Sequence, residues 1–292
     1  MRLLLYITSI YMLSTGIVRA QEQPVLNPGK GTFTFKAYKP FQNRPIRVWY
    51  YNPGHPTQIL MVMHGNSRAA ESYRNALVEY AQANNILLIT PEFDKAQFPS
   101  SRDYHQGGLF LRNGEEKRKA DWTFSLIEPL FDYVKKLSGY SKDSYWLYGF
   151  SAGSQFVHRY LLFFPDSRAS KVVAASAGTY TMFDPEINYS YGFKNVHVPK
   201  KNLIRYFSRD FTVAVGSADT VLNRKDLVKT PVANRQGRDR VERAQHFYQQ
   251  AENLAREYGV PFHWKFRLVP DVGHSQSKMA PAVPALFSDA EN

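Results

Sequence analysis

Unbroken apolar runs at Ile59-Leu60-Met61-Val62-Met63 and Ile86-Leu87-Leu88-Ile89 stand out in a chain whose hydrophobic positions are otherwise interleaved with polar ones. A strand covered by helices on both faces has no wet side, so both runs predict buried parallel strands. Residues 32–37 and 46–51 instead alternate apolar and polar, which places them near a sheet edge with one face in water. Helical spacing in 72–82 puts Leu77, Tyr80 and Ala81 on one side, and in 121–136 it puts Phe124, Ile127, Leu130, Phe131 and Val134 on an inner face. Further strands are predicted at 145–148, 172–175, 211–215 and 262–269, with helices beginning at Ala152 and spanning 240–258. Strands alternating with helices imply an α/β fold, a mostly parallel, doubly wound sheet of about eight strands with helices on both faces. In such sheets, sites gather at the C-terminal ends of the strands.

The first twenty residues depart from this pattern. Arg2 precedes a mostly apolar stretch from Leu3 to Val18, and Val18-Arg19-Ala20 ends it on a small residue, the layout of a secretory signal peptide. The stretch is shorter than a membrane span and is interrupted by Thr8, Ser9, Ser14, Thr15 and Gly16, so no integral membrane segment is expected after cleavage. The remainder, 21–292, reads as one domain in a secreted or periplasmic protein. Export usually invites disulfides, yet the chain has no cysteine, which removes thiol catalysis and Cys-based metal sites and leaves stability to a large core. The net charge of +12 favours weak attraction to anionic surfaces or polymers. Lys and Arg are scattered rather than clustered, and no nucleic-acid motif accompanies them.

The chemistry is concentrated at Gly149-Phe150-Ser151-Ala152-Gly153, between the apolar run ending at Tyr148 and a helical run carrying Phe156, Tyr160 and Leu161. A Gly-x-Ser-x-Gly at a strand-to-helix turn is a nucleophile elbow, which lifts the serine clear of the sheet. A serine hydroxyl needs a base, and the base needs a carboxylate to fix its tautomer. Asp219 follows the strand at 211–215, and His274 lies in the loop after 262–269, in the chain order Ser, acid, His. Asp271 is too close in sequence to His274 to approach its ring from a separate strand. The backbone N–H groups of Ala152 and Asn66, the latter after Met63-His64-Gly65, are the candidate oxyanion donors, while His64 reads as support for that turn. No cofactor or metal is called for.

These motifs, with Gly216-Ser217-Ala218-Asp219 and Val272-Gly273-His274, make the chain from about Tyr38 to Phe287 resemble secreted α/β-hydrolase esterases grouped with poly(3-hydroxybutyrate) depolymerases and feruloyl esterases. The resemblance implies Ser151 as nucleophile, Asp219 as acid, His274 as base and Asn66 with Ala152 as oxyanion hole, in a carboxylic ester hydrolase working through an acyl-enzyme. Acyl transfer, amide hydrolysis and an inactive binding scaffold are the alternatives on this fold. Many polymer-degrading relatives look disulfide-braced and carry a separate substrate-binding domain, absent here, which speaks against a crystalline polymer and favours a soluble or short-chain ester, a small molecule or an oligomer. Residues 177–209, rich in Tyr180, Phe183, Tyr189, Tyr191, Phe193 and Tyr206, are a possible cap insertion over the site. Signal cleavage after Ala20 predicts an exported protein beginning at Gln21, which N-terminal sequencing checks.

Overall fold

The computed structural model describes residues 25–288. The leader expected over 1–20 lies outside them. Eight strands form one sheet: β1 (Gly29–Phe35), β2 (Ile46–Asn52), β3 (Gln58–Met63), β4 (Ile86–Glu92), β5 (Tyr145–Phe150), β6 (Ala169–Ala175), β7 (Phe211–Gly216) and β8 (Trp264–Val269). Their spatial order is β1-β2-β4-β3-β5-β6-β7-β8. The β1–β2 and β2–β4 pairs are antiparallel and every other pair is parallel. The burial pattern follows the sequence. β1 alternates exposed and half-buried positions at the edge, while β3 is buried from Ile59 to Met63 because helices cover both its faces.

The helices are α1 (Ala70–Asn75), α2 (Val78–Ala83), α3 (Ile127–Ser138), α4 (Ala152–Phe163), α5 (Lys200–Phe207), α6 (Pro231–Asn234), α7 (Arg240–Glu257), α8 (Gln276–Met279) and α9 (Val283–Phe287). Two depart from expectation. The single helix predicted over 72–82 is split at Ala76–Leu77, where the Leu77 N–H bonds the Arg74 carbonyl three residues back. Tyr73, Leu77 and Ala81, spaced by four, are all buried in the core across the break. The helix predicted from 121 becomes α-helical only at Ile127, after two 3-10 turns separated by extended backbone at Trp122. Its predicted inner face, Phe124 through Val134, is buried as expected.

The sheet separates two apolar layers. One lies against α3, α4, α5 and α7, and the other, smaller, lies against α1, α2 and the C-terminal helices. No helix among the described residues is long and apolar enough to cross a membrane.

The site is placed by a close crossing of β5, α4 and the end of β3. A Cβ at Gly149 would collide with the Gly153 carbonyl, and one at Gly153 would collide with the Met63 carbonyl. The elbow therefore needs glycine at both positions for lack of room, not for backbone angle. Gly153→Ala is expected to cost roughly 1–3 kcal/mol of folding stability by overpacking, read as a lowered urea midpoint.

Candidate active site

Ser151 joins β5 to α4 with φ 57° and ψ −115°, a conformation costly for any residue with a Cβ. The crossing just described holds it there, and its N–H bonds the Ala175 carbonyl at the end of β6. The hydroxyl stands at the C-terminal edge of the sheet in an open cleft of about 580 Å³.

Three side chains from separate strands converge at that point. Ser151 Oγ lies 3.0 Å from His274 Nε2, and His274 Nδ1 lies 2.7 Å from Asp219 Oδ2. Asp219 is fully buried on the loop after β7, and His274 sits on the loop after β8 with its side chain only 5% exposed. With the proton on Nδ1, donated to the carboxylate, Nε2 is free to accept from the serine hydroxyl. The arrangement can pass a proton from Ser151 to His274 while Asp219 holds the tautomer. Asn66 and Ala152 border the cleft beside the serine, and Ala152 opens α4, whose N-terminal dipole favours negative charge there.

Asp271 stays apart, as expected. It is exposed at φ 56°, and its N–H bonds the Ser217 hydroxyl. His64 supports the turn after β3. Its Nε2 accepts from the Phe93 N–H at 3.0 Å, Nδ1 bonds the Gly65 carbonyl at 2.9 Å, and burial pushes its pKa down to about 3.

Several neighbours surround the three residues, and of these Arg240, Asp226 and Arg224 were not singled out from sequence. The Phe150 ring stacks on the His274 imidazole with centroids 5.0 Å apart. The other oxygen of Asp219, Oδ1, accepts from Arg240 Nη1 at 3.3 Å, and that guanidinium is itself buried. Arg240 Nη2 also reaches the carbonyl of Asp226 at 3.0 Å and its Oδ1 at 3.4 Å. Arg224 grips the Asp226 carboxylate with two bonds of 2.9 Å. Those bonds, with the charges of Arg240 and His274, outweigh partial burial and hold Asp226 well below the usual carboxylate range. One signal was available in the sequence. Basic residues at 238, 240 and 243 crowd the start of the 240–258 helix, where the dipole disfavours them.

The segment 177–209, given from sequence as a possible cap insertion, turns most of its aromatic rings inward. Of its six singled-out aromatics only Tyr191 borders the cleft. Tyr180 and Phe183 stack on Phe247 of α7, and Tyr206 packs edge-on against Trp264 of β8. These rings attach the segment to the core, and the face it leaves toward the cleft is polar, with Gly178, Thr179 and Ser190 beside Tyr191.

Behind that face lies Arg159 of α4, fully buried, whose hydrogen bonds all go to neutral acceptors: Thr179, Thr181, Gln155, the His105 ring, and the His105 and Ser190 carbonyls. Burial lowers its pKa to about 10. Arg243, equally buried, bonds the carbonyls of Gly178 and Val228, two residues of the cleft wall.

Strand order, elbow and cleft together define an α/β-hydrolase. No protein-family model and no curated protein matches the chain. Among solved structures it is similar to poly(aspartic acid) hydrolase-1 from Sphingomonas sp. KT-1, with 38% identity, a TM-score of 0.86, and coverage of 89% of this chain and 99% of that one. It is also similar to LpqC, a poly(3-hydroxybutyrate) depolymerase from Bordetella parapertussis, with 27% identity, a TM-score of 0.84, and coverage of 91% and 92%. An S-formylglutathione hydrolase from Agrobacterium tumefaciens shares the fold at 13% identity and a TM-score of 0.52, over 88% and 92% of the two chains. The chain belongs to the α/β-hydrolase family of depolymerases and esterases that includes the first two, so it is a hydrolase.

His64, His105 and His158 are all buried with lowered pKa values, burial being the first cause in each and the charge of Arg159 the second for His105 and His158. Below about pH 6.5 the unfolded chain takes up protons that these folded rings refuse, so stability should fall as pH drops toward 3 and level off above 6.5. Each ring adds up to about 1.4 kcal/mol per pH unit to the slope. Urea titrations at stepped pH check this, and His64→Gln should make the slope shallower.

Proposed function

We propose that this hydrolase uses Ser151 as nucleophile, His274 as base and Asp219 as acid, with the N–H groups of Asn66 and Ala152 as oxyanion donors. The observation that carries the reading is the unbroken chain from Ser151 Oγ through His274 to buried Asp219, opening on the cleft. Ser151 attacks the acyl carbonyl while His274 Nε2 takes its proton. The tetrahedral oxyanion is held by the two N–H groups, and the proton passes from Nε2 to the leaving group as the carbon–leaving-group bond breaks. Water then attacks the acyl-enzyme by the same route. Esters and amides both fit this sequence.

We further propose that the acyl substrate is an anionic oligomer or polymer. Arg159 and Arg243 are buried behind the cleft wall with only neutral hydrogen-bond partners, so no bonded carboxylate cancels their charge and their field favours an anion in the cleft. The chain carries a net charge of +12. Arg224, Gln155, Thr179 and Ser190 in the cleft lining offer charged and polar partners to a carboxylate-bearing chain, in line with the poly(aspartic acid) hydrolase it resembles. The leader at 1–20 fits action outside the cytoplasm on a substrate too large and charged to enter.

A fluorophosphonate should label Ser151, and Ser151→Ala should abolish labelling and reduce kcat on the order of 10⁶-fold. Full turnover by that variant would remove the assignment. For the substrate, KM for poly(aspartic acid) should rise several-fold between about 50 and 300 mM salt, as charge attraction is screened. KM for a neutral chromogenic ester should hold steady, and identical salt responses would argue against anion recognition.

A further inference from the structure

One charged group in the cleft has no part in the proton chain from Ser151 to Asp219. Asp226 Oδ2 lies 3.8 Å from His274 Nε2, the nitrogen that faces Ser151, and the carboxylate is 48% exposed to the cleft. The distance is too long for a hydrogen bond to the imidazole. Arg224 bonds both oxygens of the carboxylate and Arg240 approaches it from the buried side. Arg240 touches both acids, so Asp219 and Asp226 are fixed relative to one another on the two sides of one imidazole.

During collapse of the tetrahedral intermediate, the leaving atom must come within about 3 Å of Nε2 to receive its proton. Spheres of that radius around Nε2 and Asp226 Oδ2, with centres 3.8 Å apart, overlap, so one atom can bond both. The two leaving groups differ at that atom. An ester oxygen carries no hydrogen before it is protonated and can only face the carboxylate lone pairs. The nitrogen of a secondary amide carries one N–H throughout, and as its own lone pair turns toward Nε2 that N–H needs an acceptor.

We propose that Asp226 is a specificity-determining residue that accepts the N–H of a scissile amide, so that the site is built to cleave amides as well as esters. This rests on the Ser151–His274 reading above. The carbon–nitrogen bond breaks and its electron pair passes to nitrogen. Nitrogen takes the proton of His274 Nε2, keeps its original hydrogen, which is shared with Asp226 but not transferred, and departs as the amine, leaving the acyl group on Ser151. The two arginines that clamp Asp226 offset its negative charge toward an anionic acyl chain.

The test compares the p-nitroanilide and the p-nitrophenyl ester of N-acetylaspartate, identical in acyl group, on wild type, Asp226→Ala and Asp226→Asn. The wild type should hydrolyse both. A hydrogen bond to a charged acceptor, lost only for the amide, lowers the anilide-to-ester ratio of kcat/KM by about 10- to 100-fold in Asp226→Ala. Asp226→Asn is isosteric and keeps an acceptor oxygen without the charge, so its ratio should fall between the two. Complete fluorophosphonate labelling shows that each variant retains a formed site. If the alanine variant does not fold, a ratio in the asparagine variant at least about threefold below wild type carries the expectation. A ratio within twofold of wild type in the folded variants, an asparagine ratio no better than alanine's, or no anilide hydrolysis by the wild type would overturn the assignment. The serine reading fails separately, if Ser151→Ala still turns over the ester.

Discussion

The approach of Gly153 to the Met63 carbonyl fixes more of this molecule than any other single contact. It closes α4 onto the end of β3 so tightly that no side chain fits between them, and the same closeness forces Ser151 into positive φ. Because β3 and β5 are parallel neighbours in register from Leu60 to Met63, the turn after β3 emerges beside the elbow. A Cβ at Gly65 would lie 3.7 Å from that of Ser151. Ser151 and the candidate oxyanion donors are thus located by one close-packed crossing of backbone.

The other half of the site hangs from β7 and β8. These strands pair along their full length, from Phe211 with Trp264 to Gly216 with Val269, so the loops that carry Asp219 and His274 leave the sheet at the same level. Buried Asp219 would be costly to ionise alone. It has two partners, the imidazole on one oxygen and Arg240 on the other, and the arginine supplies the compensating charge. The crowd of basic residues at the start of α7 then has a purpose. Asp239 caps that helix by accepting from the Glu242 N–H, which meets the dipole's demand for negative charge and leaves Arg240 and Arg243 free to point toward the cleft wall.

The sheet and the three side chains that converge at the cleft were legible because each obeys a local rule. Buried strands read as apolar runs, the elbow has a five-residue spelling, and Asp219 and His274 each follow a strand by a few residues. What the sequence hid was contact between distant segments. Nothing near Asp226 distinguishes it from an ordinary surface acid, since its role depends on Arg224 beside it and Arg240 fourteen residues away. The partners of the aromatics of 177–209 were hidden for the same reason. An apolar ring signals burial without saying against what, and Tyr180, Phe183 and Tyr206 satisfy that demand on Phe247 and Trp264. The helix over 72–82 is interrupted at Leu77 by a bond to the Arg74 carbonyl three residues back, a local change of turn that apolar periodicity does not encode.

In the anionic-substrate reading proposed above, selectivity in this site rests on buried charge instead of apolar fit. An apolar pocket distinguishes acyl groups by size and gains little per methylene. A guanidinium such as Arg159, sealed behind Gln155 and Thr179, is unsolvated and unpaired by any carboxylate, and its field acts through low-dielectric surroundings onto the cleft. Such a charge is held by the fold at all times, so it requires no rearrangement when substrate arrives. The segment from Asp219 to Arg243 contributes two carboxylates and two buried guanidiniums to one wall. One stretch of chain thereby combines the ionic support of the proposed base with the groups that would sort acyl chains and leaving groups by charge.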